Sequence, residues 1–148
     1  MEVRAATADD LRALLPLIAE YQRLYAAEAC DDDRNAWFFA RFLAPSDAGL
    51  LLVAPGADAV PAGYATLYWT FSSVSATDVV LLNDLYVRPE ARGTGVGEAL
   101  VAAAVAVARD RGASHVRWFT TLDNRRAQGL YERLGAGRSA WFEYEIAV

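Results

Sequence analysis

The sequence predicts an α/β domain whose mixed, mostly antiparallel central sheet is flanked by helices. Helical periodicity appears near the start, in the middle and near the end of the chain, with strand-like runs between. Three of those runs, Leu50–Ala54, Ala62–Phe71 and Val79–Val87, follow one another without a helix between them, as in an antiparallel meander. The third run enters a glycine-rich turn that opens directly into a helix. With 148 residues, no internal repeat and no linker, the chain is expected to form one domain over residues 1–148.

Each element has its own signal. Glu2 to Ala6 alternates and predicts a first strand. Thr7-Ala8-Asp9-Asp10 has the form of a capping box and starts a helix expected to reach about Ala27. Its apolar residues Leu11, Leu14, Leu15, Ile18, Tyr21, Leu24 and Tyr25 recur at three- and four-residue spacing, which puts them on one face. The acidic run Asp31-Asp32-Asp33 precedes a short helix expected over Asn35 to Leu43, stopped near Pro45. Pro55 to Pro61 is turn-rich and joins the first two strands of the meander. Beyond the glycine turn, the sequence predicts a helix from about Gly95 to Arg111 that ends at Gly112. A strand over Ser114–Thr120, a helix over Asn124–Leu134 and a closing strand over Ser139–Ala147 follow.

Composition narrows the function classes. A chain that is 55% hydrophobic and 22% charged has the balance of a soluble globular protein. The apolar stretch Ala99–Ala108 is far short of the ~20 residues needed to span a bilayer, and the start lacks a basic-then-apolar leader. No membrane partner and a cytoplasmic location are therefore expected. A net charge of −5 argues against a nucleic-acid partner and suits cationic amines. Cys30 is the single cysteine and His115 the single histidine, so no disulfide and no cysteine-based metal cluster is expected, and no metal. Cys30 beside three aspartates has no basic partner to lower its pKa. Ser114 and His115 are neighbours on an expected strand, where side chains point to opposite faces, and no third group completes a triad.

The turn Arg92-Gly93-Thr94-Gly95-Val96-Gly97-Glu98 carries the strongest chemical signal. Glycines at alternate positions let backbone N–H groups approach a ligand, and a helix start adds roughly half a positive charge, so the turn predicts an anion site fitting a pyrophosphate. A dinucleotide fingerprint would need glycine where Glu98 stands. A P-loop would need a lysine, and all 14 basic residues here are arginine.

The turn resembles the Arg/Gln-x-x-Gly-x-Gly/Ala pyrophosphate loop of the GNAT superfamily of N-acetyltransferases. The strand Asn83-Asp84-Leu85-Tyr86-Val87 and the downstream Asp123-Asn124-Arg125-Arg126-Ala127…Leu130-Tyr131-Glu132-Arg133-Leu134-Gly135 match that family in order and spacing. The Leu-Asn-Asp-Leu-Tyr-Val strand, Thr70-Phe71-Ser72-Ser73 and the aromatic C-terminal strand are similar to the histone/polyamine acetyltransferase-like branch and its diamine acetyltransferase relatives.

The resemblance implies a GNAT fold, acetyl-coenzyme A as co-substrate, and direct transfer of its acetyl group to a primary amine, either a small polyamine-like molecule or a lysine or peptide amine. It implies that backbone amides of Gly93, Thr94, Gly95, Val96, Gly97 and Glu98 hold the pyrophosphate, with Arg92 at the edge either pairing with a phosphate or lying on the surface. Leu85, Tyr86, Val87 and Asn124 fall at the positions that bond the pantetheine arm, and Tyr131 at the position that protonates the departing thiolate. Read from spacing alone, Tyr131 is a core aromatic on a helix with Leu130 and Leu134.

A primary ammonium is only about 0.1% neutral at pH 7, so its acetylation gains from a nearby base. Diamine acetyltransferases carry a Glu-Asp pair on this strand, and Asn83 stands where the glutamate would be, leaving Asp84 to bind the amine, relay a proton or serve as a structural acceptor. Strand alternation would send Leu82, Asp84 and Tyr86 one way and Asn83, Leu85 and Val87 the other. Asn83, Asp84, Tyr25 and Trp69 are expected at the acceptor pocket, with Trp37 and Phe71 as further wall candidates or core. A homodimer is expected from the resemblance and from the exposed aromatic edge Trp141–Ile146. A non-catalytic acyl-coenzyme A sensor on the same fold is the alternative.

Overall fold

The computed structural model describes residues 2–25, 30–57 and 60–148. A five-stranded sheet runs in the order β1 (Arg4–Ala5), β2 (Gly49–Ala54), β3 (Gly63–Ser72), β4 (Thr77–Val87) and β5 (Val116–Arg117). The first four strands pair antiparallel with their neighbours, and β5 joins β4 in parallel. The mixed, mostly antiparallel sheet expected from the meander is therefore the observed one.

Two layers of helix cover the sheet. Helix α1 (Ala8–Leu24) starts with a closed capping box, in which Asp10 N–H donates to Thr7 Oγ1 at 3.3 Å and Thr7 N–H to Asp10 Oδ2 at 2.8 Å. The expected extension of α1 to Ala27 lies in part outside the described residues. Leu11, Leu14 and Ile18 of α1 pack with Phe39, Phe42, Leu51, Val53, Tyr64 and Tyr86 on one face of the sheet. On the other face, α3 (Val96–Asp110) places Leu100, Val101 and Ala104 against Leu52, Ala65, Leu67, Val80 and Leu82. Helix α4 (Arg125–Arg133) adds Tyr131 at the margin of that second cluster.

Helix α2 spans Asp32–Phe39, beginning earlier than expected. The reason is its cap: Asp31 accepts the Arg34 N–H at 2.9 Å, while Asp32 and Asp33 sit in the first turn, where the helix dipole favours negative charge. The acidic run is thus the start of the helix. A 3-10 turn, Ala40–Phe42, carries the chain on.

Two departures from the expected pattern shape the cleft beside β4. The β3–β4 register pairs Thr66 with Asp84 but Leu67 with Leu82, so Asn83 is an extra residue in a β-bulge. The bulge interrupts simple alternation: Leu82 packs on the α3 face, while Asp84 pairs with Thr66 on the same face as Tyr64 and Tyr86, under α1. The second departure is the end of the chain. β5 pairs with β4 only at Val116 and Arg117 instead of extending to Thr120, and Ser139–Ala147 forms no strand. With β5 so short, the C-terminal segment has no ladder to join, and Trp141 and Phe142 stand 85% and 92% exposed.

Candidate active site

A cleft of about 500 Å³ opens where the chain leaving β5 diverges from β4. One wall is Leu82, Asn83, Leu85, Tyr86 and Val87 of β4, with Asp84 turned behind it under α1, and the opposite wall is Trp118, Phe119 and Thr120. Asn124, Leu130 and Tyr131 of α4 also line it. The glycine turn closes one end, and Tyr21, Leu24 and Tyr25 of α1 stand at the other.

At the glycine end, Gly93 and Gly95 have φ of +81° and +90°, a left-handed backbone that side chains with a Cβ adopt at a cost. The third glycine serves a different purpose. A Cβ on Gly97 would lie 3.2 Å from Leu130 Cδ2, so this residue lets the start of α3 approach α4. The first bond within α3 runs from Ala99 N–H to Gly95 C=O at 2.9 Å, so the amides of Val96, Gly97 and Glu98 precede it and are available to an anion. Thr94 Oγ1 donates to Ala91 C=O at 2.7 Å and ties the loop down. Arg92 Nε donates to Val87 C=O at 2.9 Å, and its guanidinium carbon stands 5.8 Å from the centre of the Tyr86 ring. The arginine is therefore braced at the edge of the turn. This set of unpaired amides, open left-handed glycines and a braced cation fits a pyrophosphate.

Along the cleft, Asn124 caps α4 by accepting the Ala127 N–H through Oδ1 at 3.2 Å. Two turns on, the Tyr131 ring meets Trp118 edge-on at 5.2 Å. Burial, with a smaller contribution from Tyr25, raises the Tyr131 pKa, so its hydroxyl holds its proton at neutral pH. Core aromatic and cleft residue are one and the same here. Tyr86 turns its hydroxyl away from the cleft to donate to Glu20 Oε2 at 2.6 Å. Burial first, and then that bond, push its pKa up to about 12.

At the α1 end, Asn83 Nδ2 donates both to Tyr68 Oη at 3.1 Å and to Asp84 Oδ1 at 3.0 Å. Asp84 is buried beneath this pair, 7% exposed, and burial lifts its carboxyl above the usual carboxylate range. The nearby donors of Thr66, Asn83 and Tyr21 partly offset that rise. Tyr25 packs 5.0 Å from Tyr21, ring centre to ring centre, and lines the cleft.

Trp69 requires a correction. It lies on the α3 face, where its Nε1 donates to Ser46 C=O at 3.1 Å and Arg111 covers its ring at 3.8 Å, so it does not wall the acceptor end. Strand alternation sends Trp69 to the opposite face from Tyr68, and it is Tyr68 that meets the cleft residue Asn83, by accepting its amide N–H. Trp37 and Phe71 stand 72% and 75% exposed and outside the cleft lining. Tyr21, which its spacing assigned to the core face of α1, lines the cleft, and Tyr68, which sequence reasoning missed, braces Asn83 from behind it. The signal for Tyr68 was present, since Tyr64, Thr66 and Tyr68 place hydroxyls at alternate positions of one strand.

Residues 11–136 match the acetyltransferase (GNAT) family. The chain is 35% identical over 135 residues to the uncharacterized N-acetyltransferase YhfO of Bacillus subtilis (strain 168), covering 91% of this chain and 89% of that protein. It is 38% identical over 88 residues to a thialysine N-epsilon-acetyltransferase of Bos taurus, covering 58% of this chain and 51% of the relative. A solved structure described as a probable acetyltransferase superposes with a TM-score of 0.86 at 29% identity, covering 100% of this chain and 98% of the other. The chain belongs to the GNAT family of acetyltransferases, whose co-substrate is acetyl-coenzyme A.

Proposed function

We propose that this acetyltransferase moves the acetyl group of acetyl-coenzyme A directly onto a primary amine, without a covalent enzyme intermediate. The observation that carries the reading is one cleft with a pyrophosphate-fitting turn at one end, Tyr131 along its wall, and at the other end Asn83, whose amide bonds the carboxyl of Asp84 buried just behind it. Bound coenzyme A would supply the acetyl group as an activated thioester. The amides from Gly93 to Glu98 hold the pyrophosphate, with Arg92 beside them. The backbone of Leu85, Tyr86 and Val87, with Asn124 opposite, guides the pantetheine arm. Asn124 Oδ1 caps its helix, which leaves its amide N–H groups for that purpose.

Asp84, with Asn83 and Tyr68 above it and Tyr21 and Tyr25 alongside, meets the cationic amine and receives or relays its proton. The neutral amine then forms its C–N bond to the acetyl carbonyl carbon, the C–S bond breaks as Tyr131 Oη gives its proton to the departing sulfur, and the proton lost by the new amide nitrogen passes through water to restore the tyrosine hydroxyl. A lysine-like or small polyamine-like acceptor fits one buried carboxyl among tyrosines, and the likeness to a thialysine N-epsilon-acetyltransferase supports that class. The test is a panel of amines, with release of free coenzyme A thiol as the readout. Turnover with a lysine-like or polyamine-like amine supports the reading, and cofactor binding without thiol release across the panel replaces it with a sensor.

We further propose a homodimer that covers the exposed segment Trp141–Ile146. The support is the exposure of Trp141, Phe142, Tyr144 and Ile146, apolar area that a lone chain leaves in water. Light scattering giving a monomer mass at tens of micromolar, roughly the range in which ordinary homodimers persist, overturns it.

A further inference from the structure

The face of β3 turned towards α1 carries a hydroxyl at three successive inward positions, Tyr64, Thr66 and Tyr68, while the opposite face carries Ala65, Leu67 and Trp69. Across the sheet, Thr66 stands between Leu51 of β2 and Asp84 of β4. Tyr64 and Thr66 are fully buried, and neither hydroxyl has a partner in hydrogen-bonding geometry. A valine would fill the volume of Thr66 without leaving a buried hydroxyl unmatched, so packing gives no reason for the oxygen. The bulge supplies one. The extra residue Asn83 turns Asp84 to the α1 face, directly opposite Thr66.

We propose that Thr66, with Tyr64 behind it, is a positioning residue for Asp84: the two buried hydroxyls are donors that close on the carboxylate and hold it charged when a cationic acceptor amine meets it. This rests on the reading of Asp84 as the acceptor-side anion. The groups facing Asp84 are Tyr21 from α1, Tyr64, Thr66 and Tyr68 from β3, and Asn83 from its own strand. Arg41, after α2, acts on Tyr68, and no cation is among the groups that shift Asp84 itself. The charge must therefore be held by neutral donors, and burial works against them. Asn83 is already engaged with both Tyr68 and Asp84, and Tyr21 also faces the carboxyl; Thr66 stands near enough to favour the charged form but short of bonding geometry, so the Thr66 and Tyr64 hydroxyls are the donors still to close.

The experiment titrates the Asp84 carboxyl by NMR in protein labelled at the aspartate side-chain carbon, with the signal assigned through Asp84→Asn. Thr66→Val should raise the Asp84 pKa by about one unit, Tyr64→Phe by less, and Thr66→Ser should restore the parental value. The acid limb of kcat/KM for the amine should move with it while cofactor affinity stays unchanged. A moved titration with an unmoved acid limb upholds the positioning role and instead removes Asp84 from the acceptor step. An Asp84 titration unmoved in Thr66→Val, with a higher melting temperature, overturns the proposal, since the hydroxyl was then only an unmatched group in the core. Should the valine variant not fold, an unmoved titration in Tyr64→Phe and Thr66→Ala together does the same.

Discussion

The two ends of the cleft offer different kinds of group to the ligands proposed for them. At the glycine turn the groups on offer are backbone amides, and what they require of the sequence is the absence of side chains: a left-handed backbone at Gly93 and Gly95, and room for α4 at Gly97. At the α1 end the groups are side chains, Asn83 and Tyr21 in the lining with Asp84 and Tyr68 behind them, and what they require is that each point the right way. One inserted residue at Asn83 decides that. A backbone site tolerates exchange of almost any neighbour and fails when a glycine is lost. A side-chain site tolerates backbone adjustment and fails when one functional group is lost.

Tyr131 stands between the ends and breaks the comparison most sharply, because its ring belongs to packing while the proposed reaction assigns its hydroxyl to chemistry. Tyr131→Phe keeps the contact with Trp118 and removes the proton. Turnover should fall roughly 10²-fold, with the cofactor dissociation constant and the melting temperature little changed. Parental turnover in a folded variant with a genuine amine would make Tyr131 a packing residue alone and assign the proton to another group.

The backbone character of the glycine end is tested by two substitutions expected to behave differently. A Cβ on Gly95 meets nothing within 4 Å, so the first cost of Gly95→Val is its φ of +90°. It should shift the loop amides and weaken cofactor binding by about tenfold, or about 1.4 kcal/mol, in a folded protein. Gly97→Ala instead brings a Cβ to 3.2 Å of the flexible end of Leu130, so its effect should be smaller and appear first as a displaced α4. Equal losses from both, measured by calorimetric titration of coenzyme A, would mean that crowding governs this end and backbone conformation does not.

The side-chain end should announce itself in pH dependence. Asp84 must be charged to meet an ammonium, and burial lifts its pKa, so kcat/KM should rise with pH along an acid limb lying above the ordinary carboxylate range. Below that limb the rate should fall about tenfold per pH unit. The sign for stability is opposite. A carboxyl whose folded pKa is raised binds its proton more tightly in the native state, so this group's contribution to stability diminishes as pH rises through the window between the unfolded and folded values. Asp84→Asn should therefore abolish the acid limb and leave the fold at neutral pH as stable as before, or more so.

The same contrast explains which features are legible in the sequence. The glycine turn, the meander and the core faces of α1 and α3 are legible because each leaves a local pattern: left-handed positions written as glycine, alternation at two, apolar spacing at three and four. The bulge at Asn83 is not, since it is a property of β4 relative to β3, and alternation counted along one strand puts Leu82 and Asp84 on the same side. Trp69 was misplaced and Tyr68 missed because an aromatic residue in a strand signals burial without saying which face. The closing strand failed for a related reason. Ser139–Ala147 has the composition of a strand, but a strand exists only where another edge completes it, and β5 ends at Arg117.

The smallest expected effect decides which end owns the acidic run. Asp31, Asp32 and Asp33 stand at the start of α2, close in sequence to Tyr21 and Tyr25, and three carboxylates there could be read as an attractant for cationic amines. The geometry gives them a local role instead, in which Asp31 takes the Arg34 N–H at 2.9 Å as the cap of α2 and the next two sit in its first turn. Phe39 of α2 packs in the cluster under α1, so loosening the helix start is felt in the core. Asp31→Ala should lower stability by about 1 kcal/mol through the lost cap, read in urea denaturation. Asp31→Asn, which keeps a capping oxygen without the charge, should recover most of that loss. Neither should change the KM for the amine beyond twofold, roughly the ±0.5 kcal/mol expected of a surface change remote from the site. A KM that rises equally in both variants, with stability intact in Asp31→Asn, would move the acidic run from the scaffold to the acceptor end and make charge, in addition to the buried Asp84, part of how that end selects its amine.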